Sequence, residues 1–528
     1  MGRGRELTLL ITLFSWYKYC LLMAVVSFYI VPVLTDICTQ ILMQLSLKSN
    51  PDNLPWIVQK YGGTIIGNFL NEIADTIIPT YIETNRVVIV CSARSQDIKT
   101  KGTTNSLLKA AEEALIEGST KHLDIVEEIK KDHVNATRTI IQSKSILLSV
   151  ESSLTEECLK LRSFLEAAQI INEISPRSKD IIIGMGEKLS CIVVSAVLKD
   201  RGIDNQLVVL NNIIQQEFTV LDELFYSYIA ERLFQVISEC GNKIPVLTGF
   251  FGNVPGSLLN TIGRGYTDLC AALAAVGLNA KELQIWKDVD GIFTADPHIV
   301  QTARLLPIIT PEEAAELTYY GSEVIQAFTI EQVMKANIPI RIKNVKNPFS
   351  SGTVIFSAHD SQETDSIKRY PTAVTVKENR CILNIHSNRK NVSHGFLAKI
   401  FTALDDYGIV VDLISTSEVH VSMALSSNID ENQLKRALNE LRKLGSVCVI
   451  PNMAIISLVG KQMKNLIGIA GSMLTSLAEA GISIEIISQG ASEINISCVV
   501  EEKYALKALK AVHKKLFESL SYSHATIK

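Results

Sequence analysis

A chain of 528 residues, 20% charged and 47% hydrophobic, has globular composition and the length of roughly three or four domains. A net charge of −4 and the lack of any long Lys/Arg stripe argue against a nucleic-acid partner. The ten cysteines are scattered singly, with no C-x-x-C pair and no Cys/His cluster at ligand spacing; this points to reduced core thiols, with neither a disulfide framework nor a bound structural metal.

The first 53 residues differ from the rest. Between Leu7 and Leu34 the only charge is Lys18, and Tyr19–Thr35 is uncharged and close to the roughly 20 residues of a bilayer span. Arg3 and Arg5 precede it, as in a signal anchor. The favoured alternative is translation from an upstream start, with Met43 as the true first residue. On that reading residues 1–53 are an extension, no membrane is involved, and the location is cytoplasmic.

From 54 to 356, apolar runs alternate with amphipathic stretches. Trp56–Val58, Val87–Cys91, Ile181–Ile183, Leu207–Leu210, Ile244–Leu247 and Leu283–Trp286 read as buried strands, and Thr104–Glu117 and Thr219–Cys240 as helices. The alternation predicts an α/β domain, a mainly parallel sheet sandwiched by helices, with ligands at the carboxyl ends of the strands. Lys121–Arg177 is polar and helical, an accessory insertion. Residues 357–372, with the polar run Ser357–Lys368, read as a linker. Beyond it a pattern occurs twice: Gly408–Ser415 with Ser417–Ser422, and Gly481–Ser488 with Ser492–Ser497. Amphipathic helices flank both copies (His394–Tyr407 and Glu431–Leu441; Ala470–Ala480 and Glu502–Leu516), and Val419–Ala424 and Ile494–Val499 alternate as strands. Two α+β ferredoxin-like β-α-β-β-α-β units are expected, over 373–452 and 453–528. A pair of this kind serves either as a ligand sensor or as a plain dimerisation module.

Four constellations carry chemistry. Lys60 ends a strand, and Gly62-Gly63 after it let backbone amides approach a phosphate; no Gly-Lys-Ser/Thr follows, so this is not a Walker A loop. Gly263-Arg264-Gly265-Tyr266-Thr267-Asp268 runs into a helix, where Arg264 can fork onto a carboxylate and Asp268 can orient the lysine. Gly184-Met185-Gly186-Glu187 reads as strand, glycine turn and helix, with Glu187 as acceptor for an ammonium. Trp286–Pro297 places Lys287 and Asp288 at a strand end suited to a nucleotide. Cations for phosphate, an arginine for a carboxylate and an acid for an amine suit an acceptor that is itself an amino acid.

Lys60–Thr64 resembles the K-F-G-G-T-S signature of the aspartate kinases, in the amino-acid kinase superfamily. Ser92–Ser95, Gly102–Asn105, Gly186–Ser190, Thr248–Phe250, Gly263–Asp268, Trp286–Pro297, Thr310–Ala314 and Tyr319–Ile325 match in order, and the repeat resembles paired ACT domains. The likeness runs from about Trp56 to the C-terminus and is strongest to the fungal monofunctional form. It implies Mg²⁺-ATP-dependent phosphorylation of the L-aspartate side chain, feeding threonine and methionine biosynthesis. It further implies that Lys60, Arg264 and Asp268 are catalytic and that Ser92, Thr104, Glu187, Phe250 and Arg264 hold aspartate. ATP would lie along Lys60, Gly62, Gly63, Lys287, Asp288 and Phe293. An amino-acid effector, threonine by analogy, is implied between the ACT units, with Gly408, Asp412, Glu485 and Asn495 as candidate positions. A homo-oligomer built through the ACT pair is implied as well. Three positions depart from the family pattern: Ile65 replaces a serine, Gln326-Ala327 replaces His-Pro, and His298 replaces a basic residue. Activity is expected to be kept. The alternatives are an ACT-domain sensor impaired in turnover and a kinase for another amino acid.

Overall fold

Buried β-branched runs separated by amphipathic helices have one stable arrangement, parallel strands covered on both faces. The computed structural model shows it, and describes residues 47–96, 102–263, 265–321, 325–356, 371–387, 395–417, 419–461, 463, 466–490 and 494–518. Tyr19–Thr35, Ser357–Lys368 and Arg264 lie outside the described residues. The strands are β1 (Trp56–Tyr61), β2 (Arg86–Cys91), β3 (Asn205–Val208), β4 (Ile244–Thr248), β5 (Glu282–Lys287), β6 (Ile308–Ile309), β7 (Ile340–Asn344) and β8 (Thr353–Ile355). Their order is β3-β4-β2-β1-β5-β7-β8-β6, parallel throughout from β3 to β7. Lys60 sits opposite Val90 and Ile285, so β1, β2 and β5 finish at the same edge.

The helices that cover this sheet are α1 (Gly63–Asn68), α2 (Thr103–Ala114), α3 (Lys121–Ile140), α4 (Lys144–Ile171), α5 (Pro176–Asp200), α6 (Glu223–Ser238) and α7 (Tyr266–Gly277). The long helices α3 and α4 occupy the expected accessory insertion. One expectation is overturned. Ile181–Ile183 is not a strand and Gly184–Gly186 is not a turn, because all six residues lie inside α5. A segment apolar on every side has no period to separate strand from helix. Its most apolar window is 83% buried within the fold, which marks a core helix despite a length and hydropathy that would suit a membrane. The glycines serve contact: a Cβ on Gly184 would lie 2.6 Å from the Phe250 ring, and one on Gly186 2.8 Å from Ala93 Cβ. Among the described residues eight cysteines are free, and all but Cys448 are buried.

The C-terminal half forms one six-stranded sheet from β9 (Ala373–Ser387), β10 (Val411–Thr416), β11 (His420–Ser426), β12 (Gly445–Val459), β13 (Ile486–Ser488) and β14 (Asn495–Glu501), ordered β10-β11-β9-β12-β14-β13. Strands β9 and β12 are shared. Residues Arg380 to His386 of β9 pair with β11, whereas Ala373 to Lys377 pair with the end of β12 that also pairs with β14. The start of β9 thus completes the second unit, and the first unit is threaded between that strand and the rest. A cut at 452/453 falls inside β12 and cannot follow this interleaving, since repeat matching reads sequence order and not pairing.

The two halves share hydrogen bonds. Glu313 closes a capping box with Thr310 at the start of α8 (Pro311–Tyr319), and its Oε1 also accepts from Thr372 Oγ1 at 2.6 Å and Lys461 N at 2.9 Å. Just past α8, Tyr320 packs with Leu413, Ile455, Ile486 and Val499 of the C-terminal sheet.

Close approach of backbones makes one position intolerant. A Cβ on Gly67 would stand 1.9 Å from Ser95 O. Gly67→Ala should therefore lower stability by about 1–3 kcal/mol, read as the denaturant midpoint; an unchanged midpoint would contradict the packing described.

Candidate active site

A cleft of about 620 Å³ opens at the carboxyl ends of β1, β2 and β5. Three helices begin on it, α1, α2 and α7, with N-caps Gly62, Gly102 and Gly265. None of the three has a side-chain cap, which leaves first-turn amides and the positive ends of the helix dipoles for an anion. At Gly62 the missing side chain keeps the approach open.

Within this frame Lys60 Nζ stands 2.7 Å from Asp268 Oδ1, with the two side chains only 13% and 19% exposed. At this distance the half-buried ion pair fixes the lysine head at one point of the cleft. Glu187 reaches the cleft from the middle of α5. Tyr266 donates from its hydroxyl to Glu187 Oε1 at 2.6 Å, and Glu187 Oε2 has no hydrogen-bond partner among the described residues. Burial pushes the Glu187 carboxyl up to about 7; the Tyr266 bond, the amides of Glu187 and Ala93 and the Lys60 charge pull it down without cancelling that. A buried carboxylate oxygen without a partner is a place for a cation.

Lys60, Gly62, Gly63, Ser92, Thr104, Glu187, Asp268, Lys287 and Asp288 all line the cleft. Phe250 does not. It is fully buried, its ring against Gly184 and edge-on to Tyr266 at 6.5 Å, so it backs the site and does not face a ligand. Phe293 lines an adjoining cavity of about 290 Å³ that shares Lys287 with the cleft, and whose wall includes Ala373–Val376 of β9. His298 lines that second cavity too. Arg264 lies outside the described residues, but its flanks are placed. Gln326 Nε2 donates to Ile262 O at 2.8 Å, and a Cβ on Gly265 would meet Gln326 Oε1 at 2.4 Å. The glutamine that replaces the family's histidine thus braces the arginine loop. Ile65, in place of the signature serine, is buried in the core with Ile66 and Leu70.

The four effector candidates are spread over both C-terminal units. Gly408 closes the turn after α9 (Phe396–Asp405) with φ +62°, and Asp412 is held by Lys377 Nζ at 2.7 Å and Arg380 Nε at 3.0 Å. Glu485 is exposed just ahead of β13. Asn495 is buried and donates to Glu316 on α8, which makes it a contact between the halves of the chain. Sequence reasoning missed Tyr266, although it lies inside the Gly263–Asp268 motif; an aromatic beside glycine at a helix start is the signal that marks it.

This architecture and cleft define a phosphoryl-transfer enzyme of the amino-acid kinase class joined to ACT modules. Residues 55–344 match the amino acid kinase family, and 390–446 and 456–516 match ACT domains. The chain is 52% identical to aspartokinase of Schizosaccharomyces pombe over 90% of its length and 96% of that protein's. It is 47% identical to aspartokinase of Saccharomyces cerevisiae, over 90% of its own length and 95% of that protein's. Escherichia coli aspartokinase III, solved with aspartate and ADP, superposes with a TM-score of 0.68 at 26% identity, covering 87% of this chain and 99% of that one. The same enzyme solved with lysine and aspartate gives 0.70. The chain belongs to the aspartokinase family.

A carboxyl raised to about 7 binds its proton more tightly when folded than unfolded, so its stabilising effect is present at low pH and lost as pH rises through about 7. Glu187→Gln should raise the melting temperature at pH 8 and not at pH 4. Equal effects at both pH values would show that Glu187 is not a buried, raised acid.

Proposed function

We propose that the cleft transfers the γ-phosphate of ATP to the side-chain carboxylate of L-aspartate, giving 4-phospho-L-aspartate and ADP. The observation that carries this is the 2.7 Å Lys60–Asp268 pair beside the partnerless oxygen of Glu187, in a cleft ringed by three glycine-capped helix starts. The acceptor carboxylate is already ionised at neutral pH, so no general base is required. Its oxygen attacks the γ-phosphorus in line with the departing ADP oxygen. Lys60, held by Asp268, meets the charge on the transferring group. The Gly62-Gly63 turn carries the phosphates. Glu187 Oε2 accepts the substrate ammonium, Arg264 takes the α-carboxylate, and Ser92 and Thr104 line the acceptor's berth. Positioning and charge neutralisation then supply the rate. ATP lies toward Lys287 and Asp288, with Phe293 and the second cavity on the side of the base.

Magnesium suits this donor set. It keeps several waters and takes phosphate oxygens, so one or two carboxylates suffice. Asp288 would hold it, since Asp268 faces Lys60 and Glu187 faces Tyr266. When bound, Mg²⁺ would neutralise charge on the nucleotide phosphates. Among the described residues no group of three His, Cys, Asp or Glu forms a dedicated metal cage.

The C-terminal sheet is read as a threonine-responsive regulator, through α8 and Tyr320, in a cytoplasmic homo-oligomer. Leu397 and Phe401 on α9 and the nearby Val410 are exposed, as an ACT face awaiting a second copy would be.

Aspartate-dependent ADP release with Mg-ATP tests the reaction. Lys60→Ala should lower kcat by about a thousandfold or more with an unchanged melting temperature; a loss under tenfold would remove Lys60 from the mechanism. Threonine should inhibit the parent chain, and Tyr320→Ala should weaken that inhibition with kcat kept within about threefold. Unaltered inhibition in that variant would rule out the α8–Tyr320 route.

A further inference from the structure

The loop after β2, Ser92 to Ser95, lines the cleft between the Gly62-Gly63 turn and Glu187. Its backbone is pinned on every side. Ser92 N donates to Tyr61 O at 3.1 Å, Ser95 N to Gly63 O at 3.0 Å, and Arg94 N to Ser190 Oγ at 2.7 Å. Ala93 is wedged between two glycines: a Cβ on Gly63 would lie 2.2 Å from Ala93 O, and one on Gly186 2.8 Å from Ala93 Cβ. A shift of this loop therefore disturbs the phosphate turn and the helix segment that carries Glu187 together.

One fastening comes from outside the α/β core. Arg94 is buried, and its guanidinium donates to Asp132 Oδ2 on α3 and, at 3.4 Å, to Gly67 O on α1. The other Asp132 oxygen accepts from Gln96 Nε2 at 2.8 Å. Asp132 thus grips the loop at two residues, on either side of Ser95. No described residue of α3 or α4 lines the cleft, so Asp132 does not meet substrate. We propose that Asp132 is a positioning residue for phosphoryl transfer: the accessory helices hold the Ser92–Ser95 loop against the glycine turn and Glu187 through the Arg94–Asp132–Gln96 clamp. The inference rests on the kinase reading of the cleft.

The physical reason is an asymmetry of burial. The Arg94 side chain is 7% exposed, whereas that of Asp132 is 34% exposed. Without Asp132 the guanidinium keeps, among the described residues, only a long bond to Gly67 O, and such a buried charge recovers hydration by moving. Its movement carries the loop. An error of about 1 Å in acceptor placement is enough to cost one or two orders of magnitude in rate. The effect should fall on aspartate more than on ATP, because the loop supplies Ser92 and touches the helix of Glu187, while the nucleotide meets the loop through the Gly63 turn and keeps Lys287 and Asp288, which belong to β5 and the loop after it.

The experiment measures aspartate-dependent ADP release and melting temperature for the full chain and for Asp132→Ala, Asp132→Glu, Arg94→Gln and the Arg94→Gln/Asp132→Ala double variant. Asp132→Ala should lower kcat/KM for aspartate about ten- to a hundredfold, with KM for ATP within twofold of the parent. Asp132→Glu should recover most of the loss, and Asp132→Ala should add little in the Arg94→Gln background. A loss under twofold, a loss shared equally by both substrates and tracking the melting temperature, or full additivity in the double variant would each overturn the proposal. Should Asp132→Ala not fold, Asp132→Asn, which removes only the charge, is read by the same criteria. A parent chain without aspartate-dependent ADP release overturns the kinase reading, and this inference with it.

Discussion

A lysine ammonium held 2.7 Å from an aspartate, where a parallel sheet ends, is the interaction on which the rest depends. Lys60 comes from the strand at the centre of the sheet and Asp268 from the first turn of α7. Each is only partly exposed, so the pair keeps its geometry better than a surface ion pair would. A free lysine on a four-carbon stem would sample many positions; a fixed one presents its charge at a single point. The three glycine-capped helix starts then set where an anion can sit relative to that point.

Glycine does two different jobs around this centre. At Gly62 it leaves a helix end open to a ligand, with nothing within 4 Å of where a Cβ would stand. At Gly63, Gly67, Gly184 and Gly186 it lets one element press on another: a side chain there would collide with Ala93, Ser95 or Phe250. The second set gives the loop after β2 its fixed height over the cleft. The same loop is the point where the accessory helices reach the chemistry. The C-terminal sheet approaches the cleft through α8, whose Glu313 and Glu316 bond to the C-terminal half and whose Thr318, with Ile325 and Gln326 beyond it, lines the cleft. The helix α8 with Tyr320 is an element that touches both the C-terminal sheet and the cleft.

Much of this was legible in the sequence. Strand-ending lysine and paired glycines, the Gly-Arg-Gly-Tyr-Thr-Asp run into a helix, and a repeated C-terminal unit are local signals: β1 ends at Tyr61, α7 begins at Tyr266, and two units share the C-terminal sheet. Glu187 was found as a residue and misread as context, because a helix buried on all sides shows no amphipathic period and its glycines resemble a turn. Phe250 was taken for a pocket residue because it follows Thr248-Gly249 in a motif, yet its ring fills the space above Gly184. The sharing of β9 and β12 between two units, and the reach of Asp132 to Arg94 across 38 residues, depend on long-range pairing that no local pattern encodes.

The central claim is that a carboxylate, not water, accepts the phosphoryl group. An acyl phosphate reacts with hydroxylamine, so trapping the product during turnover with L-aspartate, Mg-ATP and hydroxylamine tests it most directly. The account predicts aspartyl hydroxamate formed in step with ADP. ADP released without hydroxamate would mean that the cleft hydrolyses ATP, and would contradict the carboxylate-acceptor reading.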